Sequence, residues 1–171
     1  MAQYLDRNPT TGKPRQVAGL AQSAGVADAN KIVQTGANGR LDPTLMPLGI
    51  GADTRIIEAS ETISAGSFVN VFDDAGTTKV RNADATSVAK EAHGFVVAAV
   101  NAAENATVYF EGTNDQLTGL TGGTAYFLSD TTPGGVTATP VVGANKLSQI
   151  LGIALDANSI NFEGEPAIEL A

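Results

Sequence analysis

The chain of 171 residues contains no cysteine. It therefore cannot form a disulfide, a thiol nucleophile or a Cys-ligated zinc site. Tryptophan is also absent, aromatic residues make up 5 % of the chain, and alanine is the most frequent of its hydrophobic residues. The hydrophobic core is therefore expected to be small. Because apolar burial contributes roughly 25 cal/mol per Å², we expect contacts with other chains to supply part of the stability.

Basic residues are scarce as well. The chain has 10 Lys and Arg against 18 Asp and Glu, a formal net charge of −8. Binding to nucleic acid needs clustered Lys and Arg that neutralise phosphates, and no such stripe is present, so no nucleic-acid partner is expected. The charge is uneven: residues 1–50 carry five basic and three acidic side chains, and residues 51–171 carry five basic and fifteen acidic. A weakly basic leader thus precedes a strongly acidic body.

Long apolar runs are missing from the whole sequence. A membrane-spanning helix needs about 18 or more consecutive apolar residues, and no run approaches that length. The N-terminal segment MAQYLDRNPTTGKP also lacks the apolar centre of a signal peptide. The sequence therefore predicts a soluble protein without an export signal and without a membrane partner.

Residues that could carry out catalysis are few. The single histidine, His93, precedes the apolar residues Gly94 to Val97, which favours a strand-edge or core histidine whose ring nitrogens are hydrogen-bonded. No serine lies in a nucleophile-elbow motif. The adjacent carboxylates Asp73 and Asp74 fit a solvated turn better than a glycosidase pair.

Ligand-binding motifs are equally sparse. No segment matches the acidic spacing of a calcium-binding loop, and the glycines of residues 119–124 lack the Lys-Ser/Thr of a phosphate-binding loop and precede a strand. We therefore expect a protein that is not an enzyme, with no catalytic, cofactor-binding or metal-binding residues.

Short β-type runs dominate the chain from residue 54 onward. Nine runs rich in Val, Ile, Thr and aromatics are separated by Gly, Asn, Asp and Pro clusters, which predicts an all-β barrel or sandwich. Both faces of runs such as SFVNVF carry apolar residues, so some strands are expected to be covered on both sides. The runs are residues 55–60, 67–72, 93–100, 106–112, 124–129, 135–140, 148–155, 159–164 and 167–170.

Residues 1–53 form a different region, predicted to be an extended and mostly irregular N-terminal arm attached to a display domain of residues 54–171. A short helical turn is possible in residues 17–29, and a small hairpin is predicted around the turn-forming residues 35–39. Asp42-Pro43 favours a turn, which Met46-Pro47 ends. The apolar residues of this element cannot bury themselves, so we expect them to contact a partner.

The body resembles a small β-module found repeatedly in virion proteins of tailed bacteriophages. The resemblance covers roughly residues 58–170. Its most specific part is GL-x-GG-x-AYFLSD-x-x-PGG-x-T-x-x-P followed by Q-x-LGIAL. The leader ADANKIVQTGANGRLDPTLMP is similar to the connectors that join attachment segments to such display domains.

The resemblance implies a structural protein on the particle surface. On this reading the chain is a head decoration (cement) protein, a homotrimer on the outer surface of the head that binds the major capsid protein through its arm and stabilises the shell. The expected partner-binding residues are Arg7, Lys13, Arg15, Leu41, Leu45, Met46, Leu48 and Ile50. Two alternatives stay open: a tail-fibre or receptor-binding component, and a carbohydrate-binding module that would need Tyr109 and Tyr126 as a stacking platform.

Overall fold

A computed structural model describes residues 3–37, 39–46 and 52–171. The chain divides into two compact units, Met1–Gly51 and Ala52–Ala171. This division lies close to the predicted boundary between arm and display domain. Most of the described elements are strands and the only helices among them are two short 3-10 helices, so the predicted all-β class is confirmed.

The N-terminal unit begins with a β-hairpin that the sequence analysis did not identify. Strand β1 (Gln3–Arg7) pairs antiparallel with β2 (Pro14–Ala18). Two 3-10 helices follow, Val26–Asp28 and Pro43–Leu45. The hairpin predicted around residues 35–39 has only part of the expected bonding. Gly36 N–H donates to Arg40 C=O across the predicted turn, but Val33 forms a parallel bridge with Leu20, which precedes the predicted hairpin.

The second unit starts with a closed five-stranded barrel. Its strands are β3 (Thr54–Ala59), β4 (Phe68–Asp74), β5 (Thr77–Asn82), β6 (Gly94–Phe95) and β7 (Asn105–Tyr109). Their order around the barrel is β3-β5-β4-β6-β7. The β3–β5 pair is parallel and the other pairs are antiparallel. Closure leaves the barrel without a free strand edge.

An open antiparallel sheet makes up most of the remainder. The later strands are β8 (Gly112–Asn114), β9 (Ala125–Leu128), β10 (Val136–Thr137), β11 (Leu147–Ser148), β12 (Ile150–Ala154), β13 (Ile160–Phe162) and β14 (Ile168–Glu169). Five of them form a sheet in the order β10-β9-β12-β13-β8, and β11 pairs with β14. The sheet has a central strand, β12, that carries the motif Q-x-LGIAL.

Strand β4 lies between two cores of the second unit. Phe68 belongs to a core that contains Phe95 and Phe162, whereas Val69 belongs to another core with Val80 and Val108. Neighbouring residues of a strand point to opposite faces, so both faces of β4 are covered within the unit. The expectation that some strands are buried on both sides is therefore confirmed, without a second chain being required at this position.

The segment that carries the resemblance holds the barrel and the open sheet together. After β9, Ser129 Oγ accepts hydrogen bonds from Thr131 N–H and Thr132 N–H, which shapes the turn toward β10. Gly134 then donates its N–H to Ala83 C=O and accepts from Phe68 N–H, so this turn bonds directly to the barrel side. The motif thus has a structural role in the packing of the unit.

Asp130 in this turn forms an ion pair with Lys146, the residue before β11, with Lys146 Nζ 2.7 Å from Asp130 Oδ2. The hydrogen bond from Lys146 lowers the pKa of Asp130 below its ordinary value of 3.8. A carboxyl with a lowered folded-state pKa adds stability that is complete above its unfolded pKa and is lost as the pH falls through the folded one.

We therefore expect the unfolding free energy of Asp130→Asn to fall less steeply than that of the unmodified protein as the pH drops below about 3.8. Denaturant unfolding at a series of pH values measures this slope. Asp115→Asn is the matched control, because Asp115 is exposed and has no cationic partner in the described part of the chain. Equal acid sensitivity of Asp130→Asn and the unmodified protein would show that the ion pair adds nothing.

Candidate partner-binding surfaces

The β1–β2 hairpin is built around a turn that its own side chains stabilise. Asn8 Oδ1 accepts hydrogen bonds from Thr10 N–H and Thr11 N–H, and Gly12 N–H donates to Asn8 C=O at 2.8 Å. An asparagine side chain that bonds to the backbone two residues ahead is a common way of starting a turn. The turn fixes the register in which Leu5 faces Gln16 and Arg7 faces Pro14.

Three predicted partner-binding residues lie on this hairpin, and they differ in their surroundings. Arg15 pairs with Asp6 at 2.9 Å. That hydrogen bond, helped by the N–H of Arg7, lowers the pKa of Asp6. The guanidinium of Arg7 donates to Gly12 C=O, and Lys13 is exposed. Within the described residues, Arg7 and Lys13 have no carboxylate partner.

Leu5 gives the hairpin an exposed apolar position. Its side chain is 77 % exposed, and it shares a strand face with Arg7 because the two residues are separated by one position. The residues opposite them, Gln16 and Pro14, are also exposed. This face, with Leu5, Arg7, Pro14 and Gln16, is called the Leu5 face below. The sequence analysis did not select Leu5, although the turn-forming residues that follow could have indicated a hairpin.

The predicted apolar cluster of the N-terminal unit is partly described. Leu41 and Met46 are exposed and Leu45 is half-buried. Asp42 organises this segment, because its carboxylate accepts hydrogen bonds from Thr44 and Gln22, and these bonds, that of the Thr44 hydroxyl first, lower the pKa of Asp42. The remaining two predicted residues, Leu48 and Ile50, lie outside the described residues. The structure thus places three of the five cluster members on one short segment.

The open sheet presents an apolar surface that the sequence analysis missed. Ile150 and Ile153 of β12 are exposed, and so is Leu155, the residue that follows this strand. Together with Asn161, Glu163 and Glu165 they line a groove of about 370 Å³. This surface is called the Ile153 face below. Neither Glu163 nor Glu165 has a cationic partner in the described part of the chain.

The prediction that the ring nitrogens of the single histidine are hydrogen-bonded is confirmed for Nδ1. His93 Nδ1 accepts from Val71 N–H at 3.0 Å, and Nε2 lies 3.4 Å from Glu91 Oε1. Because Nδ1 is an acceptor, the neutral ring carries its proton on Nε2, directed toward Glu91. The hydrogen bond to Nδ1 gives the ring a structural role directly before β6.

Asp73, Asp74 and Asp84 each bond to a different partner. Asp73 accepts from Gly76 N–H in the β4–β5 turn, and Asp74 pairs with Lys79, so the interpretation as a turn is confirmed. Asp84 accepts hydrogen bonds from Thr86 and lies near Lys90. Among residues 3–37, 39–46 and 52–171, no group of three or more His, Asp or Glu side chains is arranged to hold a metal ion.

The two tyrosines that a carbohydrate-binding module would need make contacts within the second unit. Tyr126 is buried and its hydroxyl accepts from Thr121 N–H. Tyr109 stacks on Phe95, with ring centroids 5.4 Å apart. A sugar-stacking platform needs exposed ring faces on one surface. The surroundings of both tyrosines therefore support a packing role and not the binding of a sugar.

Within its described residues the chain has no helix with the length and hydropathy of a membrane span. Comparisons with models of protein families, with curated protein sequences and with solved structures found no match. The surfaces described above are therefore the basis for assigning a function.

Proposed function

We propose that the protein is a decoration (cement) protein of a tailed-bacteriophage head. In this role a homotrimer binds the outer surface of the major capsid lattice and stabilises the shell without catalysis. The observation that carries the proposal is the segment with Leu41, Leu45 and Met46, whose apolar side chains remain exposed or half-exposed on an element too short to bury them. The resemblance of residues 58–170 to phage virion modules supports the same role.

The difference in charge between the two units supports a division of roles. Residues 1–51 have five basic and three acidic side chains, a net charge of +2, whereas residues 52–171 have a net charge of −10. An acidic outer domain repels other particles, and a weakly basic attachment unit favours an acidic shell. We assign the shell contact to the apolar segment around Leu41 and Met46, and the display role to the second unit.

Stabilisation would come from many equivalent weak contacts. Each copy that contacts two neighbouring capsid subunits adds a link between them, and a trimer makes several such contacts at once. Linked contacts bind far more tightly than any one alone because the later contacts form within the same complex. This mechanism requires exposed apolar contacts at the attachment site and no reactive group.

Location on the virion tests the proposal against a tail-fibre role. Immunogold electron microscopy with an antibody to residues 55–171 should show gold over the whole head at high copy number. Gold restricted to the tail would overturn the decoration role and favour a receptor-binding component. The antibody must be raised against the second unit, because the proposed shell contact covers the first.

A substitution in the attachment segment provides the quantitative test. We expect the double substitution Leu41→Asp and Met46→Asp to weaken binding to undecorated heads by at least about tenfold, because it places two charges in an apolar contact. Co-sedimentation of purified protein with heads that lack it measures the affinity. Val142→Asp is the control, since Val142 is 76 % exposed but lies in the second unit. Unchanged binding by the double variant would move the shell contact elsewhere.

A further inference from the structure

The Ile153 face is an exposed aliphatic surface of the second unit that the proposed shell contact leaves unused. Ile153 is 54 % exposed and Leu155 is 58 % exposed, although both are aliphatic and adjoin a sheet whose other face is buried. Clustered exposed aliphatic side chains on a soluble protein commonly mark an interaction site. The carboxylates of Glu163 and Glu165 beside them restrict the chemistry of the partner.

Charge opposes a symmetric contact in which two copies meet through the same Ile153 face. Such a symmetric contact would bring Glu163 and Glu165 of one copy to the same carboxylates of the other, within an apolar surface. Like charges that meet across an interface cost binding energy. A partner for this face therefore needs an apolar surface with positive charge.

The Leu5 face has these properties. It combines an exposed leucine with Arg7, whose guanidinium has no carboxylate partner among the described residues, and Lys13 lies on the same hairpin. Arg15 is already neutralised by Asp6, which belongs to the opposite face of the hairpin. Arg7 and Lys13 are thus the charges that the hairpin can offer to Glu163 and Glu165.

We propose that the Leu5 face of one copy docks on the Ile153 face of a second copy. In this contact Leu5 lies against Ile153 and Leu155, and Arg7 lies against Glu163 or Glu165. A two-stranded hairpin can lie flat on an open sheet, as layers of β-structure do. The contact joins two different surfaces, so each copy uses both and the assembly closes into a ring when the rotation permits. The inference is independent of attachment to a phage head.

Single-cysteine variants test this contact, because the natural chain contains no cysteine. Leu5→Cys and Ile153→Cys are prepared as two separate full-length proteins, mixed, equilibrated and oxidised. A disulfide between the two variants can form only between different copies. Random pairing of equal amounts makes the mixed dimer equal to the sum of the two homodimers. We expect the mixed dimer to exceed that sum on a non-reducing gel, with the linked peptides identified by mass spectrometry. Val26→Cys and Val142→Cys, at positions 93 % and 76 % exposed, are the controls for random collision.

The alternatives give different products. Homodimers of Ile153→Cys in excess would indicate a symmetric contact and overturn the proposal. A third protein carries both Leu5→Cys and Ile153→Cys in one chain. If it forms a disulfide within that chain while the mixed single variants form none, the hairpin docks on its own copy and the proposal fails. Absence of any crosslink above the level of the control variants would also overturn it.

Charge reversal provides a second test that needs no crosslink. Arg7→Glu and Glu163→Arg should each weaken self-association by about tenfold, and the two together should restore it in large part. Sedimentation equilibrium of the isolated protein measures the association constant, and raised salt should weaken the contact. Because no phage head is present, a failure here is distinguishable from a failure of the decoration role. A monomeric unmodified protein, or no recovery in the double variant, would overturn the contact.

Discussion

Gly152→Ala is expected to be the most destabilising single substitution in the second unit. Gly152 has a φ of 146°, and a Cβ built at this position would lie 1.9 Å from the carbonyl oxygen of Asn161 on strand β13. No side-chain rotation relieves this contact, because the neighbouring atom belongs to the backbone. The strand pair must therefore separate, which breaks the hydrogen bonds between β12 and β13.

The expected loss of unfolding free energy is at least about 3 kcal/mol, from the strained dihedral angle and the steric overlap together. Chemical denaturation followed by circular dichroism measures it, and a marginal unit would fail to fold. Two control glycines separate the causes. Gly112 has a φ of 109° but no atom within 4 Å of a built Cβ, and Gly164 has an open Cβ position without a positive φ.

Gly112→Ala should cost about 1–2 kcal/mol, the contribution of the dihedral angle alone, and Gly164→Ala should be nearly neutral. A loss for Gly152→Ala no greater than that for Gly112→Ala would show that β12 and β13 lie further apart than the structure has them. The comparison is direct because all three variants add the same methyl group.

The strands that could be predicted from the sequence are those with apolar alternation. Strands β3, β4, β7 and β9 match predicted runs because Val, Ile and aromatic residues recur in them. Strand β5, TTKVRN, was missed since only Val80 is apolar. Its polar residues find partners on the neighbouring strands β3 and β4: Lys79 pairs with Glu58 and Asp74, and Arg81 lies 4.3 Å from the ring centroid of Phe72. Such partners are set by tertiary structure.

The Ile153 face could not be predicted for a geometric reason. Ile150 and Ile153 are separated by an odd number of positions, so in a regular strand their side chains would point to opposite faces. The register of β12 against β9 shifts between Ile150 and Gly152, and this irregularity brings both side chains to the exposed surface. By contrast, the apolar cluster around Leu41 could be predicted from the sequence, because a short element with several apolar residues cannot bury them.

Gln149→Leu is expected to have the second largest effect, because Gln149 joins three segments of the second unit. Its side chain is 2 % exposed. Oε1 accepts a hydrogen bond from Ala92 N–H at 2.7 Å, and Nε2 donates to the carbonyl oxygens of Ala92 and Glu165, both at 2.9 Å. All three backbone groups lie outside strands, so the amide takes the place of a strand partner for the loops before β6 and before β14.

Leucine fills a similar volume but leaves one N–H and two carbonyl groups without these bonds. A buried polar group that loses its partner costs about 1–3 kcal/mol, so we expect a loss of roughly 3 kcal/mol or more for the three together. Gln149→Glu keeps the acceptor for Ala92 N–H but places a carboxylate against two carbonyl oxygens, and should be at least as unfavourable. Gln116→Leu is the control, because it makes the same change at an exposed glutamine.

Hydrogen exchange separates this mechanism from a loss of packing. In Gln149→Leu the amide of Ala92 should exchange much faster. Amides in the paired strands β4 and β5 should lose only the protection that corresponds to the lower global stability of the variant. A packing defect alone would speed exchange across the surrounding core and would leave the Ala92 amide no more affected than its neighbours. Stability of Gln149→Leu within about 0.5 kcal/mol of the unmodified protein would mean that solvent or neighbouring groups satisfy these backbone atoms, and that the buried amide does not hold the loops in place.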